Sequence, residues 1–230
     1  ADLTPVVKAL PNLTELDLTG STVDDLSPIK NLSKVNYVNL YGCTLKDFSP
    51  LAEVPSLRKV MYYASKGADF ADLRKLQQVT ELKGGLTKLD DISFVADMPN
   101  LKKFDVFAEY VTDYSPLAKT NIEDFQIWNM RMLVGDITPI GQMKSLRKMK
   151  FWDADGCQNS AALNGLENLQ EMVISGYNKK GGEPFDFAGA ASWKNLTKLE
   201  VRDAVAANTD ALAGCGKLEH IEFSNANTAK

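Results

Sequence analysis

The stretch Leu13-Thr14-Glu15-Leu16-Asp17-Leu18 carries apolar residues at its first, fourth and sixth positions. The same spacing returns as Val35/Val38/Leu40, Leu57/Val60/Tyr62 and Val79/Leu82/Gly84. It continues as Leu101/Phe104/Val106, Ile122/Phe125/Ile127, Leu146/Met149/Phe151, Leu169/Met172/Ile174, Leu196/Leu199/Val201 and Leu218/Ile221/Phe223. The ten units start near residues 13, 35, 57, 79, 101, 122, 146, 169, 196 and 218; the first four intervals are 22 residues and the later ones run from 21 to 27. The end of each unit has period 2, as in Leu16-x-Leu18, which predicts a short strand with alternate side chains turned inward.

A second signature follows the first. Val23-Asp24-Asp25-Leu26-Ser27-Pro28-Ile29 is echoed by Leu45-Lys46-Asp47-Phe48-Ser49-Pro50-Leu51, by Leu89-Asp90-Asp91-Ile92-Ser93 and by Val111-Thr112-Asp113-Tyr114-Ser115-Pro116-Leu117. Ser-Pro reads as an N-cap followed by proline at the first helical position. A short helical or 3₁₀ return segment is therefore expected on the opposite side from the strands. One such unit cannot bury its apolar face alone, but stacked units share one continuous core. The expected fold is α/β, a curved right-handed solenoid. A parallel sheet lines its concave face, and short helical segments lie on the convex face.

These motifs resemble the leucine-rich repeat family, and the Asp-x-Ser-Pro segment is most similar to the internalin-type bacterial repeats. The resemblance covers residues 1–230 as a single domain of about ten repeats. The chain opens inside the Ser/Thr-Pro signature and closes inside a repeat, so flanking caps or domains are expected beyond it. Internalin-type repeats carry Asn at the ninth position; here the column reads Ser21, Cys43, Ser65, Thr87, Glu109, Met130, Ala154, Tyr177, Ala204 and Ala226. What the resemblance implies is a non-catalytic protein–protein recognition module, part of a secreted or cell-surface adhesin. Two alternatives stay open: an intracellular scaffold or regulatory subunit in the cytoplasm, and the recognition region of a secreted effector whose catalytic domain lies elsewhere.

Composition agrees with a folded chain: 44% of residues are hydrophobic and 24% charged, too apolar for disorder. A net charge of −4 gives no basis for nucleic-acid binding. No apolar run approaches the ~20 residues of a membrane helix, so no membrane insertion is expected. Three scattered cysteines (Cys43, Cys157, Cys215) and one histidine (His220) make neither a disulfide framework nor a zinc site. Cys157 falls in a loop and reads as a free thiol; Cys215 reads as core. The motifs of hydrolases, zinc proteases and phosphate loops are missing, so no enzyme activity and no cofactor is expected.

In this repeat, positions 1, 4 and 6 should face the core, and positions 2, 3, 5, 7 and 8 the open concave side. Position 7 reads Thr19, Tyr41, Tyr63, Gly85, Phe107, Trp128, Trp152, Ser175, Arg202 and Ser224. Five of the six repeats from the second to the seventh place an aromatic ring there. With Tyr37, Met61 and Lys150 beside them, Tyr41, Tyr63, Phe107, Trp128 and Trp152 form the expected partner-binding row; Asn129 and Asp153 flank it. The row spans roughly 24 Å at the strand spacing, the width of a protein domain. Exposed aromatic rows mark binding surfaces, and hot-spot Tyr and Trp cost ~2–4 kcal/mol on truncation. The alternatives are a cross-strand ladder that only stabilises the sheet, or carbohydrate stacking. Basic neighbours such as Arg58, Lys59, Lys103 and Lys148 suggest an acidic or mixed partner face.

Other features have plainer readings. Asp25, Asp47, Asp69, Asp91 and Asp113 recur at 22 residues; one carboxylate per strand step does not supply the six to eight oxygens of calcium, so turn capping is expected. Residues 177–187, with Lys179-Lys180-Gly181-Gly182-Glu183-Pro184, read as a protruding loop.

Overall fold

The computed structural model describes residues 1–85, 89–108, 110–128, 135–178 and 182–228. Each apolar unit forms one strand of a long sheet: β1 Glu15–Asp17, β2 Tyr37–Asn39, β3 Lys59–Met61, β4 Glu81–Gly85, β5 Lys103–Phe107, β6 Asp124–Trp128, β7 Lys148–Trp152, β8 Glu171–Ser175, β9 Lys198–Arg202 and β10 His220–Ser224. All neighbours pair in parallel and in chain order, so each strand lies beside its own repeat neighbour. The register matches the sequence columns: Glu15 lies opposite Tyr37, Phe104 opposite Phe125, and Trp128 opposite Trp152.

The return segments are 3₁₀ turns, among them Ser27–Asn31, Ser49–Glu53, Phe70–Lys75, Ser93–Asp97 and Ser115–Lys119. One α-helix, Thr4–Ala9, precedes the sheet. Proline at the start presets φ for these turns. The expected serine cap is corrected here. Ser27, Ser49 and Ser115 are the first helical residues, and no side chain caps these segments. The aspartate two positions earlier does the work: Asp25, Asp47, Asp91 and Asp113 accept the main-chain N–H of Ser27, Ser49, Ser93 and Ser115 at 2.6–2.8 Å. Asp69 does the same for Ala71. The periodic Asp column is thus an Asx-turn device.

Those turns carry a pH dependence. The hydroxyl and N–H of Ser27 and Thr138 hold Asp25 and Asp136 below the usual carboxylate range, as the N–H and hydroxyl of Ser115 hold Asp113. A depressed folded pKa gives stability that is present above the unfolded value of about 3.9 and is lost as pH falls through the folded value. Asparagine makes the same turn without titrating. Changing Asp25, Asp113 and Asp136 to Asn is therefore expected to preserve the fold and flatten the fall of Tm below about pH 4. A Tm–pH curve as steep as that of the wild type would contradict this.

Core positions 1, 4 and 6 close against residues from the opposite wall, including Ile29, Leu51, Leu73, Val95, Leu117, Ile140 and Leu163. The last strand departs: Ile221 is 48% and Phe223 42% exposed, because β10 has a neighbour on one side only. In the ninth column the expected substitution chemistry is present. Cys43 Sγ donates to the Leu18 carbonyl at 2.9 Å, and Ser65 Oγ to the Leu40 carbonyl at 2.8 Å. Each bonds the sixth-position carbonyl of the preceding repeat, while Ala154, Tyr177 and Ala204 are simply buried. Thr87, Glu109 and Met130 lie outside the described residues. Cys157 is a free thiol but not a loop-surface one. Like Cys43 and Cys215 it is buried, and burial pushes all three thiols up.

The fourth repeat breaks its own pattern, with Gly84 where a large apolar residue belongs. Tyr62, one strand back in the same column, explains it. A Cβ on Gly84 would stand 1.9 Å from the Tyr62 ring carbon Cζ. The tyrosine fills its own inward position and its neighbour's. Its hydroxyl is buried and makes no hydrogen bond.

Of the 177–187 segment, Lys179, Lys180 and Gly181 lie outside the described residues. Its ends are anchored. Tyr177 and Phe185 are buried and meet edge-on with centroids 5.1 Å apart, and Asn178 bonds the Glu183 and Cys157 carbonyls.

Candidate protein-binding face

On the strands, side chains alternate, so positions 4 and 6 point inward and positions 3, 5 and 7 cover the sheet's outer face. Position 8, expected to be open, is instead the turn that leaves the strand. φ is positive there at Gly20, Gly42, Ala64, Asp153, Gly176, Asp203 and Asn225.

The expected row of rings is present, half-buried by its own stacking. Phe107 and Trp128 stack with centroids 5.3 Å apart and planes 10° from parallel; Trp128 and Trp152 stack at 5.0 Å and 19°. Tyr63 joins from two strands away, meeting Phe107 edge-on at 5.3 Å. Gly85 makes that reach possible. It leaves position 7 of β4 empty, and a Cβ there would stand 2.2 Å from the Phe107 carbonyl oxygen. The ladder therefore runs continuously over five strands, β3 to β7. Tyr41 is not part of it. It is 46% exposed and makes no ring contact among the described residues. Tyr37 and Met61 form a separate contact, with the Tyr37 hydroxyl 4.0 Å from Met61 Sδ and Lys59 Nζ 4.9 Å above the Tyr37 ring. Asn129 lies outside the described residues.

Beneath the ladder, Trp128 Nε1 donates to Asp105 Oδ1 at 3.2 Å. Burial raises Asp105 above the usual carboxylate range, against the lowering pull of Tyr63, Lys83, Trp128 and Lys103. Burial also pushes the Tyr63 phenol up.

The basic neighbours do not make a positive face. Position 3 alternates in sign along the sheet: Lys59, Glu81, Lys103, Asp124, Lys148, Glu171, Lys198. Lys59 and Lys83 meet Glu81 at 3.6 and 3.4 Å; Lys103 meets Asp124 at 3.4 Å, and Lys148 meets Glu171 at 2.7 Å. Lys198 and Arg202 both pair with Glu200, at 2.7 and 3.0 Å. Pairs this exposed contribute little stability. Their effect is to neutralise the face and to line up strand neighbours. Sequence reading registered the lysines and missed the acids, although the alternation is visible once position 3 is read down the repeats. The suggested acidic partner therefore loses most of its charge basis.

Glu200, His220 and Glu222 lie close enough to share an ion. Arg202 already occupies that centre, bonding Glu222 through Nε and Nη2 at 3.0 and 3.1 Å while meeting Glu200. The cluster reads as an ion-pair network. No helix among the described residues is long and apolar enough to cross a membrane.

No protein-family profile and no curated protein matches the chain by sequence. Solved structures do match its fold. An internalin, InlF, from Listeria monocytogenes aligns over 97% of this chain with a TM-score of 0.57 at 21% identity, and this chain spans 57% of it. The functional domain of InlJ from the same species aligns over 98% with a TM-score of 0.60 at 18% identity, this chain spanning 46% of it. TLR13, in a complex with ssRNA13, aligns over 96% with a TM-score of 0.63 at 14% identity, this chain spanning 38% of it. With its in-register parallel sheet, its 3₁₀ returns and these neighbours, the chain is a leucine-rich repeat solenoid, similar in fold to the internalins.

Proposed function

We propose that this chain is a non-catalytic recognition module that binds a protein partner on the outer face of its sheet. The observation that carries the reading is the aromatic ladder of Tyr63, Phe107, Trp128 and Trp152. It is a continuous apolar strip on an open face whose surrounding charges are already paired. A neutral polar rim around aromatic anchors is the anatomy of a protein interface. The rings are held by mutual stacking on a rigid sheet, so docking orders few side chains and loses little entropy. Tyr37, Tyr41 and Met61 extend the surface toward the first repeats, and Lys150 sits beside the ladder.

Nucleic acid fits less well. The net charge is −4, and the cations of this face are mostly paired with carboxylates, leaving little to neutralise phosphates. A place on a secreted or surface protein that adheres to other proteins follows the internalin resemblance and forms the wider reading.

The test is selection from an unbiased twelve-residue peptide library displayed on phage. Wild type is expected to enrich a related set of peptides, and soluble versions of them should shift backbone amide resonances of β3 to β7. No enrichment, or shifts confined to the 3₁₀ side, would overturn the proposal.

A further inference from the structure

We propose that the ladder carries, at Lys150 and Trp152, a subsite for a carboxylate supplied by an Asp or Glu side chain of the protein partner. This rests on the reading of the face as protein-binding. Three observations converge at one place. First, Lys59, Lys83, Lys103, Lys148, Lys198 and Arg202 on this face each have a carboxylate within 4 Å. Lys150, in the fifth position of β7, has no ion pair among the described residues. Its strand partners are Gln126 on one side and Val173 on the other, where neighbouring columns supply acids.

Second, the Gln126 side-chain amide is itself without a hydrogen bond among the described residues. Third, Trp152 Nε1 is shielded from solvent and has no acceptor. Its stacked neighbour Trp128 does have one, the carboxylate of Asp105. The ladder thus repeats its indole but not its acid. Asp105, Gln126 and Lys150 occupy successive positions of one column, and the sign of that column changes from acceptor to donor along it.

An ammonium, an indole N–H and an amide NH₂ with no anion among them match a carboxylate and repel a cation. A charge-assisted bond there would satisfy a buried donor and place a negative group against the one unpaired lysine of the face. Lys150 is half-buried on a flexible stem and makes the first contact; the shielded indole N–H is reached by a shift of Trp152. Apolar side chains flanking the acid would lie along the rings. The partner motif is therefore an acidic residue beside aromatic or aliphatic ones.

The same phage library, whose peptides carry no free C-terminus, tests this against wild type, Lys150→Glu and Lys150→Met, each first checked for an unchanged far-UV spectrum. Wild type is expected to enrich Asp or Glu at one fixed position next to apolar residues, and Lys150→Glu to enrich Lys or Arg there. In a selected peptide, changing the acid to its amide should weaken binding to wild type about tenfold. The same change should alter binding to Lys150→Met by less than about twofold. Peptides that bind through the ladder with no acidic position, or that bind Lys150→Met as tightly as wild type, would overturn the subsite and leave the recognition face standing. If no peptide is enriched on wild type, both fall together.

Discussion

Replacing Tyr63, Trp128 and Trp152 together with serine is expected to weaken binding of wild-type-selected peptides by at least about 100-fold, with the far-UV spectrum unchanged. The size follows from what the rings do. Each truncated hot-spot aromatic costs roughly 2–4 kcal/mol, and a factor of ten in affinity is about 1.4 kcal/mol. The three losses will not add. Trp128 touches both Phe107 and Trp152, so removing it also frees the faces of its neighbours. Trp128→Ser alone should therefore cost more than Tyr63→Ser alone, since Tyr63 makes one edge contact at the end of the row.

The same variants separate recognition from sheet support. A stacked ring pair stabilises by roughly 0.5–1.5 kcal/mol, so a modest fall in Tm accompanies the triple change under either reading. Affinity that stays within a few-fold of wild type while Tm falls would show a ladder that only braces the strands.

Gly84→Ala is expected to destabilise the fold by about 3 kcal/mol or more, and Tyr62→Leu in the same chain to restore most of it. The new methyl group would stand 1.9 Å from the Tyr62 Cζ, inside a core that cannot expand locally. Leucine with alanine occupies about the volume of tyrosine with glycine, and volume-conserving swaps cost less than about 1.5 kcal/mol. Tyr62→Leu alone should lower stability through the cavity it opens, partly offset by loss of a buried hydroxyl that has no partner. Denaturant unfolding of the four proteins in a double-mutant cycle measures the coupling. Additive losses would mean that the two residues do not share one space.

The contrast between these residues shows how far the sequence reaches. Strand positions, their order and the inward columns are all legible in it, because a 22-residue period leaves each strand one neighbour to pair with and period 2 decides which side chains face in. The rings at position 7 are legible for the same reason. Other features needed the fold. The Asp25-type carboxylates, not the serines, hold the return turns, because the helical segment starts one residue earlier than Ser-Pro suggests. The alternating charges of position 3 meet only across strands 22 residues apart, so a count of lysines along the chain misjudges the face. Gly84 and Gly85 look like gaps in the repeat until Tyr62 and Tyr63 are placed over them. The local pattern determined the backbone; packing between repeats decided which rings touch, which charges cancel and which donors, at Lys150 and Trp152, are left over. Side-chain neighbours across strands depend on size and reach in three dimensions, and no single repeat records them.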